Sequence, residues 1–316
     1  MNAPRLISVT ASCYNEEENV EALYERIRAV FDLEPEYDFE LICIDNHSAD
    51  GTVAKVKALI EKDPRVRLIV NARNFGHIRS PYHAFLQAKG EAVVTMASDL
   101  QDPPELITDF LRRWEEGYRI AVGVKRQSLE SRPMWLVRRA YYSLLYKIAD
   151  VRVIQDFTGF GLYDRVVVEA FRKLEDPYPY FRGIISELGY RYAEVPFLQP
   201  RRMRGITKNN FYTLYDMAML GITNHSKVPL RLATMGGFAL AFLSLLVSLV
   251  YLALKLAFWD RFTLGMAPMV IGIFFFSSIQ LFFIGLLGEY ILAIHTQVMK
   301  RPHVVEEERV NFNDLS

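Results

Sequence analysis

The stretch VVTMASDLQDPPE, residues 93–105, joins a strand-like segment to a polar turn. Its first residues form an apolar run of the kind found in β-strands, and this run stops at Ser98. Just before two prolines come Asp99, Gln101 and Asp102. Carboxylates at the carboxyl end of a strand in an α/β sheet lie where such sheets bind their ligands. The stretch therefore predicts both a sheet and a site for a guest such as a divalent metal that holds a diphosphate.

Four further apolar runs of strand length accompany this one. Each is followed by a helix-like stretch with charged residues on one face. Alternation of strands and helices is typical of an α/β sheet, which is the fold class that we predict. The five strands are expected at residues 6–13, 39–45, 66–71, 92–97 and 119–124. The pattern does not order residues 150–225, which mix short strands with aromatic-rich helical segments.

Polar clusters follow the first four predicted strands. Because the carboxyl ends of parallel strands meet at one edge of a sheet, we expect the four clusters to converge. Taken alone, the segment DNHSADGT would be only a turn and a helix cap, with Ser48 or Asp50 accepting from free amides. The joint placement favours a binding site. The clusters occupy residues 14–16, 45–52, 71–76 and 98–102.

Charge and cysteine content narrow the class of protein. Lys plus Arg and Asp plus Glu number 37 each, so the overall charge indicates no nucleic-acid partner. Cys13 and Cys43 lie in apolar strand-like runs, which is typical of buried small hydrophobic residues rather than of a disulfide framework. A reducing compartment is favoured.

Two long segments near the carboxyl end carry no charge, residues 232–254 and 262–288. Each can span a bilayer, which needs roughly 20 apolar residues. The alternative is a buried helical hairpin in a large soluble core, but core helices seldom run so long without a polar face. We therefore predict a membrane protein.

Basic residues lie mainly outside the two segments, and the positive-inside bias then places both ends of the chain in the cytoplasm. No signal peptide precedes Leu6, so the first 200 or so residues are expected to stay cytosolic, on a multi-pass protein of the cytoplasmic membrane. The flanking residues are Lys208, Lys227, Arg231, Lys300 and Arg301, against Lys255, Asp260 and Arg261 in the link. The expected divisions are a catalytic domain (1–208), an amphipathic juxtamembrane segment (209–228), a transmembrane hairpin (229–295) and a cytosolic tail (296–316).

The chain resembles the membrane-bound members of glycosyltransferase family 2, the polyprenyl-phosphate and dolichol-phosphate sugar transferases. The resemblance covers nearly the whole chain, through YNEEENV, DNHSADGT, NARNFGH, DLQDPPE, TGFGLYDR, RRMRGITK, and GLLGEYI followed by KRPHVV. It implies a GT-A fold, which is Rossmann-like, with a cytosolic catalytic domain. It also implies transfer of a sugar from a nucleotide-diphosphate sugar to a membrane lipid phosphate, usually with inversion. In bacteria the implied acceptor is undecaprenyl phosphate, and the implied role is cell-envelope glycan assembly or modification.

The resemblance also assigns the donor site. A divalent metal, Mg²⁺ or Mn²⁺, would be held by Asp99 with the carbonyl oxygen of Gln101. Asp102 is instead expected to cap a helix that begins at Pro103. A UDP-sugar is favoured as donor over GDP-mannose or a modified arabinose donor. The residues expected to bind the nucleotide sugar are Tyr14, Asn15, Glu16, Asp45, Asn46, Arg73 and Ser98.

Three positions depart from the family pattern. Ala97 replaces the first acid of the metal motif, Asn46 replaces the second acid of a pair, and Gly161 stands where many relatives have arginine. Hard cations commonly accept only one or two carboxylates when phosphates and waters complete the shell, so Asp99 can carry the site. An amide at position 46 offers donors as well as acceptors.

An acceptor with a charged end needs cations beside the bilayer, and two basic clusters qualify. Arginine suits phosphate through its rigid fork of donors. Attraction to anionic lipid, at ~1 kcal/mol per basic residue, is the alternative role and accounts for at least half of the two clusters. The clusters are Lys125, Arg126, Arg132, Arg138 and Arg139, and Arg201, Arg202, Arg204 and Lys208. Those chosen for the chemistry are Arg126, Arg132, Arg202 and Lys208.

Several alternatives stay open. Asp156 is either an additional acid near the sugar or a structural cap, and His77 and Arg79 either meet a diphosphate or are solvated surface residues. A catalytically degenerate homologue that binds nucleotide or lipid in an assembly role is the second functional hypothesis, because of Ala97. A polysaccharide synthase fares worst, since no tryptophan lies in a Gln-x-x-Arg-Trp signature. The sequence leaves open whether the chain forms a homo-oligomer.

Overall fold

The structure is a computed structural model that describes residues 4–125, 154, 156–200, 219, 226, 228–258 and 266–312. Strands and helices alternate through the first part of the chain, as the pattern predicts, and the five predicted strands are each within two residues of their observed bounds. The elements are β1 (Arg5–Cys13), α1 (Val20–Asp32), β2 (Tyr37–Asp45), α2 (Thr52–Lys62), β3 (Val66–Asn71), α3 (Gly76–Gln87), β4 (Ala92–Ala97), α4 (Leu106–Glu115) and β5 (Ile120–Lys125).

The later elements complete the sheet and add two long helices. They are β6 (Phe157–Asp164), α5 (Arg165–Leu174), α6 (Phe181–Leu188), β7 (Tyr192–Phe197), α7 (Val228–Ala257), α8 (Met266–Val298) and β8 (Glu306–Val310).

The strands form one mixed sheet in the order β7-β5-β6-β4-β1-β2-β3-β8. β1 pairs in parallel with both β2 and β4, whereas β6 runs antiparallel between β4 and β5. Cys13 lies opposite Asp45, and Ser12 lies opposite Ala97. Because the last residues of β1, β2 and β4 lie side by side, the polar turns that follow these strands meet at one edge of the sheet.

Helices cover both faces of the sheet. On one face the buried core includes Leu23 of α1, Val56 of α2 and Phe110 of α4. On the other face it includes Phe85 of α3 and Phe171 of α5. The α/β fold that we predicted is confirmed, and with it the burial of the two free cysteines.

The helix α4 shows how the local sequence selects one of these faces. Its buried residues recur at the three- and four-residue spacing that places side chains on one side of a helix. They are Ile107, Phe110, Leu111 and Trp114.

The two long helices α7 and α8 lie outside this core. Their most apolar windows reach mean hydropathies of 2.4 and 1.7, and none of either window is buried. By length and composition each can cross a membrane. The expected amphipathic segment 209–228 and the link between the helices lie almost wholly outside the described residues.

The carboxyl-terminal tail returns to the sheet, which the sequence pattern does not predict. β8 pairs antiparallel with β3, so that Leu68 lies opposite Val310. The Nζ of Lys57 lies 2.6 Å from a carboxylate oxygen of Glu308. The side chain of Asn311 donates to the carbonyl oxygens of Pro64 and Val66, each at 2.7 Å. The tail therefore forms one of the two edge strands of the sheet.

Candidate active site

A cavity of about 420 Å³ opens at the carboxyl ends of β1 and β4, beside the amino ends of β6 and α6. One part of its wall is polar, and another part is aromatic and apolar. A ligand with a charged group and an apolar or ring-shaped group would fit such a wall. The polar part includes Asp99, Gln101, Asp102 and Lys125, and the apolar part includes Pro81, Tyr82, Phe85, Pro179, Tyr180 and Phe181.

A tight turn after β4 brings Asp99 and Gln101 to this cavity. Leu100 has a positive φ of 60°, which reverses the chain direction between them. The backbone N–H of Gln101 donates to the Asp99 carboxylate at 3.1 Å. The turn therefore holds Asp99 at the carboxyl end of β4, where the sequence pattern predicts it.

Asp102 does not cap a helix, and this expectation was wrong. The helix α4 begins at Leu106 rather than at Pro103, and no side chain caps it. The Asp102 carboxylate instead turns back and accepts from the backbone N–H of Ala97 at 3.0 Å. Burial, together with the nearby charge of Asp99, raises the pKa of Asp102 to about 6. Asp102 is thus a second carboxyl group of the cavity.

The residues of the cavity fit a divalent cation that arrives with a phosphate ligand. Among the described residues, no three His, Cys, Asp or Glu side chains come together as a metal site. Asp99, Gln101 and Asp102 nevertheless line one cavity and present oxygen atoms, which Mg²⁺ and Mn²⁺ prefer. Two carboxyl groups are enough when a diphosphate and waters supply the remaining ligands.

The turns after β1 and β2 are tied to each other next to the cavity. Asn15, at a φ of 54°, accepts from the N–H of Ala49 at 2.8 Å. Its own N–H donates to Ser48 Oγ at 2.8 Å. Glu16 donates its backbone N–H to Thr52 Oγ1 at 2.8 Å. These bonds give the edge around Tyr14 a fixed shape before any ligand binds.

Asp45 lies at the base of these turns. Its carboxylate accepts from the N–H of Ser48 at 2.8 Å and also from the Ser48 hydroxyl. Burial raises the pKa of Asp45, and the bonds from Ser48 oppose that rise. Asn15, Glu16 and Asp45 do not line the 420 Å³ cavity, and the part of β1 that does so is Ser12, near the end of the strand.

Asn46 is held in a hydrogen-bond network that uses its whole amide. Its Nδ2 donates to Asn74 Oδ1 at 2.8 Å and to the carbonyl oxygen of Gly76 at 3.3 Å. Its Oδ1 accepts from the N–H of Phe75 at 2.8 Å and from Asn71 Nδ2 at 3.2 Å. A carboxylate could not make the two donated bonds. The departure from the acidic pattern at this position therefore has a structural reason.

Three other predicted site residues lie away from the centre of the cavity. Ser98 is 1% exposed and donates to the carbonyl oxygen of Ser12 at 2.7 Å, which ties β4 to β1. Arg73 lies over the ring of Phe75 and lines a different cavity. Asp156 is half-buried at a φ of 52°, and its carbonyl oxygen accepts from the N–H of Lys125 at 3.1 Å.

The family follows from a sequence comparison. The profile described as glycosyl transferase family 2 matches residues 8–171, which contain β1 from Ser8 onward and all of β2 to β6. The chain belongs to glycosyltransferase family 2. It is therefore a glycosyltransferase.

Two curated relatives match this family 2 glycosyltransferase over nearly all of their length. It is 33% identical to the uncharacterised glycosyltransferase YkcC of Bacillus subtilis, over 93% of this chain and 91% of that one. It is 31% identical to the SfII prophage-derived bactoprenol glucosyl transferase of Shigella flexneri, over 95% of this chain and 96% of that one. Among solved structures, one similar chain is the mannosyltransferase PcManGT of Pyrobaculum calidifontis in complex with GDP-Man and Mn²⁺. It is 16% identical over 95% of this chain and 89% of that one, with a TM-score of 0.48.

The cavity also contains residues, beyond the matched range 8–171, that the sequence pattern does not single out. Arg182 lines the cavity and donates to the carbonyl oxygen of Phe157 at 3.2 Å. His77, for which a diphosphate contact was left open, lines the same cavity; partial desolvation and the charge of Arg182 lower its pKa, although the residue remains exposed. Tyr180 and Phe181 come from the region whose order the sequence does not show. Their aromatic character is visible there, but their position is not.

The predicted acceptor cations lie largely beyond what the structure describes. Lys125, at the start of the first basic cluster, lines the cavity. Arg126, Arg132, Arg202 and Lys208 lie outside the described residues.

Proposed function

We propose that this family 2 glycosyltransferase transfers a sugar, with inversion, from a nucleotide-diphosphate sugar to the phosphate of a membrane polyprenol. Undecaprenyl phosphate is the proposed acceptor, and cell-envelope glycan assembly or modification is the proposed role. The observation that carries the proposal is the cavity, which pairs carboxyl groups and a lysine with an aromatic wall at the edge of the sheet. The similar protein of Shigella flexneri, named a bactoprenol glucosyl transferase, supports this acceptor class.

The proposed location is the cytoplasmic membrane, with the catalytic domain on its cytosolic side. Two helices of the same chain are long and apolar enough to span a bilayer. Basic residues that flank them favour this orientation. An acceptor lipid dissolved in that membrane would reach the enzyme without leaving the bilayer.

The donor is proposed to bind along the edge that runs from β2 to β4. Tyr14, Asn15, Glu16 and Asp45 would hold the nucleotide, and we favour a UDP-sugar. The hydrogen bonds between the turns after β1 and β2 support this role, because they shape that edge in advance. Asn46 contributes by holding the turn after β3 in place.

Asp99 and the carbonyl oxygen of Gln101 would hold Mg²⁺ or Mn²⁺, and the bound ion would neutralise negative charge on the departing diphosphate. Lys125 in the same cavity adds a fixed positive charge for the same diphosphate. Arg182 is held by the carbonyl oxygen of Phe157 and offers further donors at the opposite wall.

The acceptor phosphate needs no general base. Phosphate monoesters have a second pKa of about 6, so the attacking oxygen is already ionised near neutral pH. The protein's own tasks are then to align the two substrates and to neutralise charge. Arg126, Arg132, Arg202 and Lys208 are proposed to hold the acceptor phosphate.

Transfer of radiolabelled sugar into an organic-extractable lipid tests the proposal. Membranes that contain the protein should give labelled lipid with a UDP-sugar and undecaprenyl phosphate. Asp99→Asn should abolish the label, whereas Asp109→Asn, an exposed change on α4, should leave it near the wild-type level. Nucleotide binding without label from any donor would instead support the degenerate homologue that Ala97 suggests.

A further inference from the structure

A second cavity, of about 280 Å³, lies between the turn after β3 and the chain that leaves α8. It shares no lining residue with the 420 Å³ cavity. Three arginines contribute to its wall, together with Phe75 and Pro302. The arginines are Arg73, Arg79 and Arg301.

Two of these guanidinium groups are held in place by their surroundings. Arg79 donates from Nε to the carbonyl oxygen of His303 at 2.7 Å and from Nη2 to that of Pro302 at 2.8 Å. The Cζ atoms of Arg73 and Arg79 lie 4.0 and 5.2 Å from the centre of the Phe75 ring. Both groups are thus positioned without using all of their five N–H donors.

The three charges are not neutralised within the part of the chain that the structure describes. No ion pair to a carboxylate is found there for Arg73, Arg79 or Arg301, although most other arginines around the domain have one. Desolvation and the charges of Arg73 and Arg301 lower the pKa of Arg79. Gathering like charges costs free energy, which an anion bound among them would recover.

Position and chemistry together indicate the anion. Arg301 follows closely on the end of α8 at Val298, so the cavity would lie at the cytosolic membrane surface if α8 spans the bilayer. Guanidinium groups match the oxygen atoms of phosphate through paired N–H donors. We propose that Arg73, Arg79 and Arg301 form a second phosphate-binding site, whose occupant is the phosphate of an anionic membrane-lipid headgroup. This inference rests on the membrane orientation in the proposed function, and a free phosphate is the other source of the same chemistry.

The test uses the full-length protein in nonionic detergent and native mass spectrometry. Phosphatidylglycerol, phosphatidylcholine and inorganic phosphate are each titrated against the wild type and against Arg73→Gln/Arg301→Gln. Arg79 is left intact, because its bonds to Pro302 and His303 also hold the tail. The matched control is Arg28→Gln/Arg113→Gln, which removes the same charge from exposed positions on α1 and α4.

The proposal predicts that phosphatidylglycerol binds the wild type at least about tenfold more tightly than Arg73→Gln/Arg301→Gln, since charge-assisted hydrogen bonds are lost. The control should bind within about twofold of the wild type. Equal affinity of the wild type and Arg73→Gln/Arg301→Gln would overturn the site. Arginine-dependent binding of inorganic phosphate alone would overturn the lipid headgroup as occupant.

UDP affinity separates this site from the donor site. It should be the same in the wild type and in Arg73→Gln/Arg301→Gln, and a parallel loss would show that the arginines belong to the donor pocket instead. None of these measurements needs sugar transfer. Failure of transfer with intact lipid binding would therefore reject the proposed function and leave the second site standing.

Discussion

Replacement of Asn46 by aspartate tests the network that holds the turn after β3. Asn46→Asp keeps the bonds accepted from Phe75 and Asn71 but turns a second oxygen toward Asn74 Oδ1 and the carbonyl oxygen of Gly76. Asn74 cannot rotate its amide to help without abandoning the N–H of Gly76, which it accepts at 2.8 Å. Two lost bonds and a buried charge that faces acceptors should cost about 3 kcal/mol.

For a domain of this size about 3 kcal/mol corresponds to a fall in Tm of about 6–12 °C. Thermal unfolding of the detergent-solubilised protein at pH 8 measures it. The loss should shrink as the pH falls, since a protonated carboxyl at position 46 can donate again. Asn74→Asp is the matched control. Its carboxylate would still accept from Gly76 and Asn46, next to the amino end of α3, so its Tm should stay level or rise slightly. Equal Tm values for wild type, Asn46→Asp and Asn74→Asp would refute the network as the reason for the amide.

Three further predictions follow from the site and the chain's topology. Asp102→Asn should stabilise the metal-free protein at pH 8 by up to about 3 kcal/mol, because ionising a carboxyl whose pKa is raised to about 6 opposes folding. The gain should fall as the pH drops from about 6 to about 4 and vanish below about pH 3, where both states are protonated, and a gain that persists there would show that charge is not its cause. Calorimetry should show faint Mg²⁺ or Mn²⁺ binding to the protein alone and clear binding with UDP present, and Asp99→Asn should remove it; strong binding without nucleotide would contradict the short ligand set. A cysteine at Asp260 should be labelled from outside intact cells whereas one at Ser316 should not, and the reverse pattern would overturn the orientation.

The sequence predicts the parts of the fold that depend on local periodicity. The strands from β1 to β5 were found because each buries a run of apolar residues, and the two long helices because each contains a long stretch without charge. The strand β8, with the sequence EEERV, carries no apolar run at all. Its strand conformation comes from hydrogen bonds to β3 and from partners such as Lys57. Such a strand is defined by tertiary contacts, so its own residues do not reveal it.

The candidate site also contains residues whose position the local sequence predicts and residues whose position depends on distant contacts. Asp99 and Gln101 could be placed because a strand end in an α/β sheet is a known position for ligands. Asp102 could not, because its carboxylate turns back to Ala97 rather than forward to the next helix. The partners of Asn46 lie 25 to 30 residues away in the sequence, so only the folded chain shows why position 46 is an amide.

The return of the tail as β8 has a consequence for how the protein is made. β3 is left as an open edge until β8 arrives, and open edges are prone to pair with other chains. Residues 306–310 leave the ribosome after both apolar helices, so the sheet cannot be closed until those helices have been synthesised. During synthesis the β3 edge of the sheet therefore stays unpaired until residues 306–310 have been made. A chain that stops after α8 would retain the catalytic cavity's residues and still be expected to aggregate.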